Sequence, residues 1–143
     1  MPNYADDDAI VASINGPRDF VNLTAGKVLI ADTGNGRVIL YQDGKVRIVA
    51  GTGEAGYTGD GGPATLATLK EPSGVSIDEN GGIYISDHAN NVIRYVSPSG
   101  MIDTVVGQEE SGYTGDGGPA TEAKLSGPVG IDLVGDQLRI ADT

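Results

Sequence analysis

The decapeptide GYTGDGGPAT occurs twice, letter for letter, at residues 56–65 and 112–121. The likeness runs on past it, with ATLATLKEPSGV at 64–75 matching ATEAKLSGPVGI at 120–131. It also extends backwards once Pro17, Pro72 and Pro128 are taken as equivalents, giving PRDFVNLTAGKVLIADTGN, PSGVSIDENGGIYISDHAN and PVGIDLVGDQLRIADT. Each copy is an apolar run, a Gly-bearing turn, a second apolar run and an aspartate, at positions 32, 87 and 142. The first two copies continue with GNGRVILYQDGKVRIVAGTG and ANNVIRYVSPSGMIDTVVGQ, while the third reaches its aspartate just before Thr143. A chain repeated in this way folds as small units that cover one another's faces, because no single unit is large enough to bury its own.

The runs within a copy have strand character. Lys27–Ile30, Ile83–Ser86 and Leu138–Ala141 are β-branched or apolar and are bounded by Gly or Asp turns. Arg37–Tyr41 and Val92–Val96 supply a third strand, and Lys45–Ala50 and Met101–Val106 a fourth. Ala25-Gly26, Asn80-Gly81-Gly82 and Gly135-Asp136 provide the positive φ that tight hairpins need. Composition points the same way: 38% hydrophobic residues, 23 Gly, six Tyr, one Phe and no Trp make for a thin core and many turns. The expected fold is all-β, a β-propeller segment of about two and a half four-stranded blades, incomplete as a single closed propeller. Its parts are a degraded connector at 1–16, a blade at 17–53, a connector at 54–71, a blade at 72–107, a connector at 108–127 and the first half of a blade at 128–143. The last strand, Leu138, Arg139, Ile140 and Ala141, is left with a bare edge, where assembly is expected.

The decapeptide falls between the fourth strand of one blade and the first strand of the next, so it carries the chain from rim to hub. Its glycines suit a compact crossing, with Tyr57, Asp60 and Pro63 in one copy and Tyr113, Asp116 and Pro119 in the other. Both prolines stand where a helix of one or two turns is expected to begin, with Leu69 or Leu125 packing underneath. Asp60 and Asp116 are expected to accept hydrogen bonds from the free amides at that start. A calcium or anion site is the competing reading of these loops. Each loop offers one aspartate, whereas calcium takes six to eight oxygens, so a structural connector is the stronger expectation.

The stretch Ile30-Ala31-Asp32-Thr33-Gly34-Asn35-Gly36-Arg37-Val38 resembles the NHL repeat, and Tyr84-Ile85-Ser86-Asp87-His88-Ala89-Asn90-Asn91-Val92-Ile93-Arg94 follows it with one departure, Val92 in the place of Arg37. GDGGPAT ahead of each Pro-x-Gly is likewise similar to the long NHL repeats of bacterial surface proteins and of the teneurin propeller. The resemblance covers the whole chain and implies a propeller that binds proteins. The motif residues Asp32, Asn35, Arg37, Asp87, Asn90, Arg94 and Asp142 are expected to be structural. The aspartates end the second strand and would bond turn amides; Asn35 and Asn90 suit a left-handed turn residue; Arg37 would reach Asp32 or a neighbouring blade's carbonyl.

Propellers related to these include lyases and lactonase-like hydrolases that hold a metal in the central channel, so a metal-dependent enzyme with a carboxylate-lined channel is the alternative. His88 is the sole histidine, which excludes a His-rich zinc site within one chain. Asp32, Asp87 and Asp142 recur at equivalent points, as a carboxylate cage requires and as a structural role equally predicts. No nucleophile–histidine set is visible, and the expectation is a non-enzymatic scaffold with no cofactor. Nine Lys and Arg against twenty Asp and Glu, a formal charge of −11, argue against nucleic acid and anionic membranes. The start MPNYADDDAIVASINGP lacks the basic and apolar regions of a signal peptide, and no apolar run approaches the roughly 18–20 residues that span a bilayer. The absence of cysteine fixes no compartment; the resemblance favours an extracellular setting, in which Asn22-Leu23-Thr24 would be a glycan acceptor. The partner expected is protein, either further copies of this chain or the remainder of a longer propeller.

Overall fold

The computed structural model describes residues 7–8 and 13–143, so most of the connector expected at 1–16 lies outside the described residues. Twelve strands are present among them: β1 (Asp7–Asp8), β2 (Asp19–Asn22), β3 (Val28–Asp32), β4 (Arg37–Gln42), β5 (Lys45–Ala50), β6 (Gly62–Pro63), β7 (Pro72–Ile77), β8 (Ile83–Asp87), β9 (Val92–Val96), β10 (Met101–Gly107), β11 (Ile131–Val134) and β12 (Gln137–Ile140). They form three antiparallel sheets, ordered β1-β5-β4-β3-β2, β6-β10-β9-β8-β7 and β11-β12. The fold is all-β, two full blades and a half blade of a propeller that this chain does not close.

Each full sheet has one strand more than the four expected. The connector that precedes a blade lays two residues along that blade's last strand, Asp7 and Asp8 against β5 and Gly62 and Pro63 against β10. The outermost strand would otherwise present unpaired amides and carbonyls, and the crossing chain covers part of them. Between β4 and β5 the turn is Asp43-Gly44, both with positive φ (53° and 80°), the conformation of a two-residue hairpin whose strands keep their right-handed twist.

The helices expected after Pro63 and Pro119 are absent. In their places stand single 3-10 turns, Ala64–Leu66 and Ala120–Glu122. Pro63 is extended (ψ 131°) because it belongs to β6, and Ala67 is extended again (ψ 155°). The chain leaves the turn so early because Thr68 bridges Thr58 and Leu69 drops into the core, wholly buried. Burying that one leucine is worth about 2 kcal/mol, more than two further helical residues would return. Leu125 occupies the corresponding place and is half-buried.

One core joins the first two sheets. Leu29, Ala31, Val38 and Ala50 come from the first, Val75, Ile85, Val96 and Ile102 from the second, and Ala64, Ala67 and Leu69 from the connector between them. No blade supplies a core alone, as the small repeat requires.

Candidate functional site

The recurring aspartates lie where strand meets turn, but their partners are not the turn amides expected. Asp32 Oδ1 accepts the Asn15 amide at 2.8 Å, Asp87 Oδ1 the Lys70 amide at 2.7 Å and Asp142 Oδ1 the Ser126 amide at 2.7 Å. In each case the donor stands two residues ahead of the blade's first proline, Pro17, Pro72 or Pro128. The carboxylate therefore clamps the incoming connector to the end of the blade's second strand, a contact across sequence that a hairpin reading does not contain.

The second oxygen of the clamp holds an asparagine and an arginine. Asp32 Oδ2 accepts from Asn35 Nδ2 (2.9 Å) and Arg37 Nε (2.7 Å), and both donors also reach the Ser13 carbonyl, at 2.7 and 3.1 Å. Asp87 Oδ2 accepts from Asn90 Nδ2 (2.8 Å) and Arg94 Nη1 (3.2 Å), while Asn90 Nδ2 also donates to the Gly56 carbonyl at 2.7 Å. Asn35 and Asn90 are not the left-handed residues expected of them. Gly36 (φ 62°) and Asn91 (φ 60°) take that conformation, and the preceding asparagines sit in 3-10 turns that aim their amides at the aspartate and the connector. Burial pushes the Asp87 carboxyl above its ordinary value, opposed in turn by Asn90, the Lys70 amide and Arg94.

Arg94 is wholly buried and takes up the first decapeptide. Its Nη2 donates to Asp60 Oδ1 (2.8 Å) and to the Thr58 carbonyl (2.9 Å), its Nη1 to the Thr68 carbonyl (3.1 Å), and its guanidinium lies 5.0 Å from the centre of the Tyr57 ring. Thr104 on β10 completes the set, donating to Asp60 Oδ2 at 2.7 Å and pairing with the Tyr57 hydroxyl at 2.7 Å. Asp60 thus binds strands of the following blade rather than the amides at Pro63, where no side-chain cap is made. Asp116 makes no cap at Pro119 either and is exposed, as is Tyr113 at 78%. The shift from Arg37 to Arg94 has a strand's logic: residues two apart share a face, so moving the arginine two places keeps it beside the aspartate. Ile39 fills in the first blade the place that Arg94 fills in the second.

The three aspartates are each engaged in their own clamp, and among the described residues no group of three or more His, Cys, Asp or Glu is placed to hold a metal ion. A further row of contacts, outside those expected from the sequence, joins blade to blade. Thr33 Oγ1 donates to the Pro72 carbonyl at 2.7 Å, and His88 Nδ1 meets the Pro128 carbonyl at 3.2 Å. Both follow their blade's aspartate directly, a positional signal that was present in the repeat. Asp19 Oδ2 accepts the Val75 amide (3.0 Å) and Ser73 Oγ donates to the Pro128 and Val129 carbonyls, each at 3.1 Å.

Two surfaces are left over when these contacts are made. Phe20 is 62% exposed, whereas Val75, the residue in the same place of the second blade, is 2% exposed because the first blade covers it. At the other end β12, with Leu138, Arg139 and Ile140, pairs with β11 alone among the described residues. Ala141 lies just past it and exchanges backbone hydrogen bonds with Val129 and Gly130.

Comparison with known proteins places this arrangement. The family model described as Teneurin NHL domain matches residues 39–114. Teneurin-3 of Danio rerio is 36% identical over 101 residues, 59% of this chain and 4% of that protein. A structural-genomics protein of unknown function from Bacteroides thetaiotaomicron superposes with a TM-score of 0.73 at 24% identity, over 82% of this chain and 30% of the other. Virginiamycin B lyase from Staphylococcus aureus superposes with a TM-score of 0.54 at 17% identity, over 96% and 44%. The last two likenesses are of fold. The chain spans only a few hundredths of the length of the teneurins it matches.

Proposed function

The chain belongs to the teneurin NHL domain family, and from that premise we propose that it is a non-enzymatic propeller scaffold whose open blade ends associate with protein. The observation that carries the reading is the contrast between Phe20 and Val75: one position, covered by the first blade in the second and bare in the first. The edge of β12, unpaired among the described residues, supports it from the other side, since a strand edge is a template for a further strand. The occupants we propose are further copies of this chain, closing a ring or running on as a filament, or further blades of a longer propeller.

The metal-dependent alternative asks for carboxylates that converge and are free. Asp32, Asp87 and Asp142 each have a backbone amide on one oxygen, and Asp32 and Asp87 have an asparagine and an arginine on the other. Sedimentation velocity across a concentration series, read with amide hydrogen exchange, tests the proposal. The expected result is concentration-dependent association accompanied by slower exchange at 137–140. A monomer at every concentration, with β12 exchanging as slowly as β9, would overturn it.

A further inference from the structure

Three cations gather on the face of the first blade that is turned to the second. Leu29 and Leu40, which pair across β3 and β4, pack on the joint core from that face. Gln42 lies two residues beyond Leu40 and pairs with Lys45, while Leu40 pairs with Arg47, so all four share the face. Lys27 joins them, being extended (φ −87°, ψ 140°) and two residues ahead of Leu29. Leu40, Gln42, Asp43, Lys45 and Arg47 line a pocket of about 270 Å³ here. Neither the three cations nor the Gln42 amide has a side-chain hydrogen bond or ion pair among the described residues. Against them stand Asp43, at the hairpin tip, and Asp8, which takes the register position opposite Lys45. The scaffold does not require these cations: in the second blade the places of Lys27, Lys45 and Arg47 are taken by Gly82, Met101 and Asp103. Charge is sorted along the chain in the same sense. Residues 17–53 carry five Lys and Arg against three Asp, whereas 54–143 carry four against fourteen Asp and Glu.

We propose that this pocket binds a compact oxyanion of two or more charges, a phosphate group or a pair of carboxylates. Arg47 supplies a planar fork of donors, Lys45 and Lys27 supply point charges, and the Gln42 amide supplies a neutral donor. Leu40 forms an apolar wall for the uncharged part of the ligand. The ligand is compact because a polyanion long enough to reach the rest of the surface would meet its acidic excess and be repelled. A small ion at the first blade feels that excess only weakly, since charges beyond roughly 8 Å are screened at physiological salt.

The test is an amide chemical-shift titration of the full chain at constant ionic strength, with inorganic phosphate above its second ionisation and, separately, with succinate. The expected result is saturable movement at 27 and 40–47, weakened about tenfold or more when Lys45→Gln and Arg47→Gln are combined. Both residues are exposed, so the double variant remains folded, and an unchanged urea midpoint verifies it. Arg139→Gln removes an exposed cation elsewhere and should leave the binding as it was. Saturation by phosphate alone supports a tetrahedral ligand, and saturation by succinate alone supports paired carboxylates. Movement that Arg139→Gln weakens as much as the double variant overturns the pocket, because net charge alone would then explain it. No saturable movement with either probe overturns it as well.

Discussion

Arg94 and Arg37 do the same chemical task in different surroundings, and their removal should separate them. Arg94 is wholly buried and Arg37 keeps 19% of its side chain exposed. Arg94→Met leaves Asp87 buried without its cation and Asp60, Thr58 and Thr68 without their donor, a loss of about 3–5 kcal/mol. Arg37→Met should cost less, about 1 kcal/mol, since water reaches the guanidinium and the Ser13 carbonyl even though Asp32 itself is buried. Urea denaturation of the two variants measures the difference, and equal losses would show that burial does not set the strength of the clamp. A second pair gives a pH dependence. The Tyr95 hydroxyl donates to Asp78 Oδ2 at 2.7 Å, and that bond, with some burial, pushes the tyrosine up to about 12 and holds the Asp78 carboxyl below its ordinary value. The unfolded chain releases the tyrosine proton near 10 while the folded chain retains it, so this contribution is whole below pH 10 and is lost as pH rises toward 12. The Asp78 side runs oppositely, present above the ordinary carboxylate range and lost as pH falls through the lowered value. Tyr95→Phe should flatten the alkaline decline in the urea midpoint between pH 10 and about 12, and an unchanged decline would assign it elsewhere. The motif aspartates were legible as strand ends because a repeat shows them three times. Their connector partners were not, since an amide roughly 16 or 17 residues upstream is chosen by the path of the chain in space.

Among the elements, the strands could be read and the crossing could not. Alternation and Gly turns mark β3, β4, β8 and β9 in the sequence, but Pro-Ala-Thr-Leu-Ala carries a sound helix start, and local preference predicts helix there. Two long-range demands override it: Pro63 is held in β6 by β10, and Leu69 is held in the core. The same tightness makes a prediction. At Gly59, with φ of 100°, an added Cβ would stand 2.6 Å from Ala67 Cα, so Gly59→Ala should lower stability by about 2–3 kcal/mol. Gly115→Ala meets Ala123 Cα at the same 2.6 Å, yet its loop holds no strand pair in this chain, and its cost should be smaller. Chemical denaturation of both variants decides whether the occupied loop adds to the stability of the blade it grips.

At the scale of the molecule, the same residue position changes meaning with its neighbours. Phe20→Asp should leave the fold intact, because the side chain is 62% exposed, while abolishing any association through the first blade's bare face in sedimentation. Val75→Asp, 2% exposed in the equivalent place, should unfold the chain outright by burying a charge with no partner. Association undiminished by Phe20→Asp would move the contact to the β12 end. The repeat spells out the count of blades, whereas the way in which they interlock depends on contacts between residues far apart in sequence. Gly62 and Pro63 sit on the sheet that comes after them, so the self-covering structural unit runs from a decapeptide to the end of the next β10-type strand and not from proline to proline. A tandem duplication with breakpoints ahead of each GYTGDGGPAT adds a blade that brings its own outer hem. One cut at Pro72 would separate that hem from the blade it finishes and leave the outer edge of β10 bare.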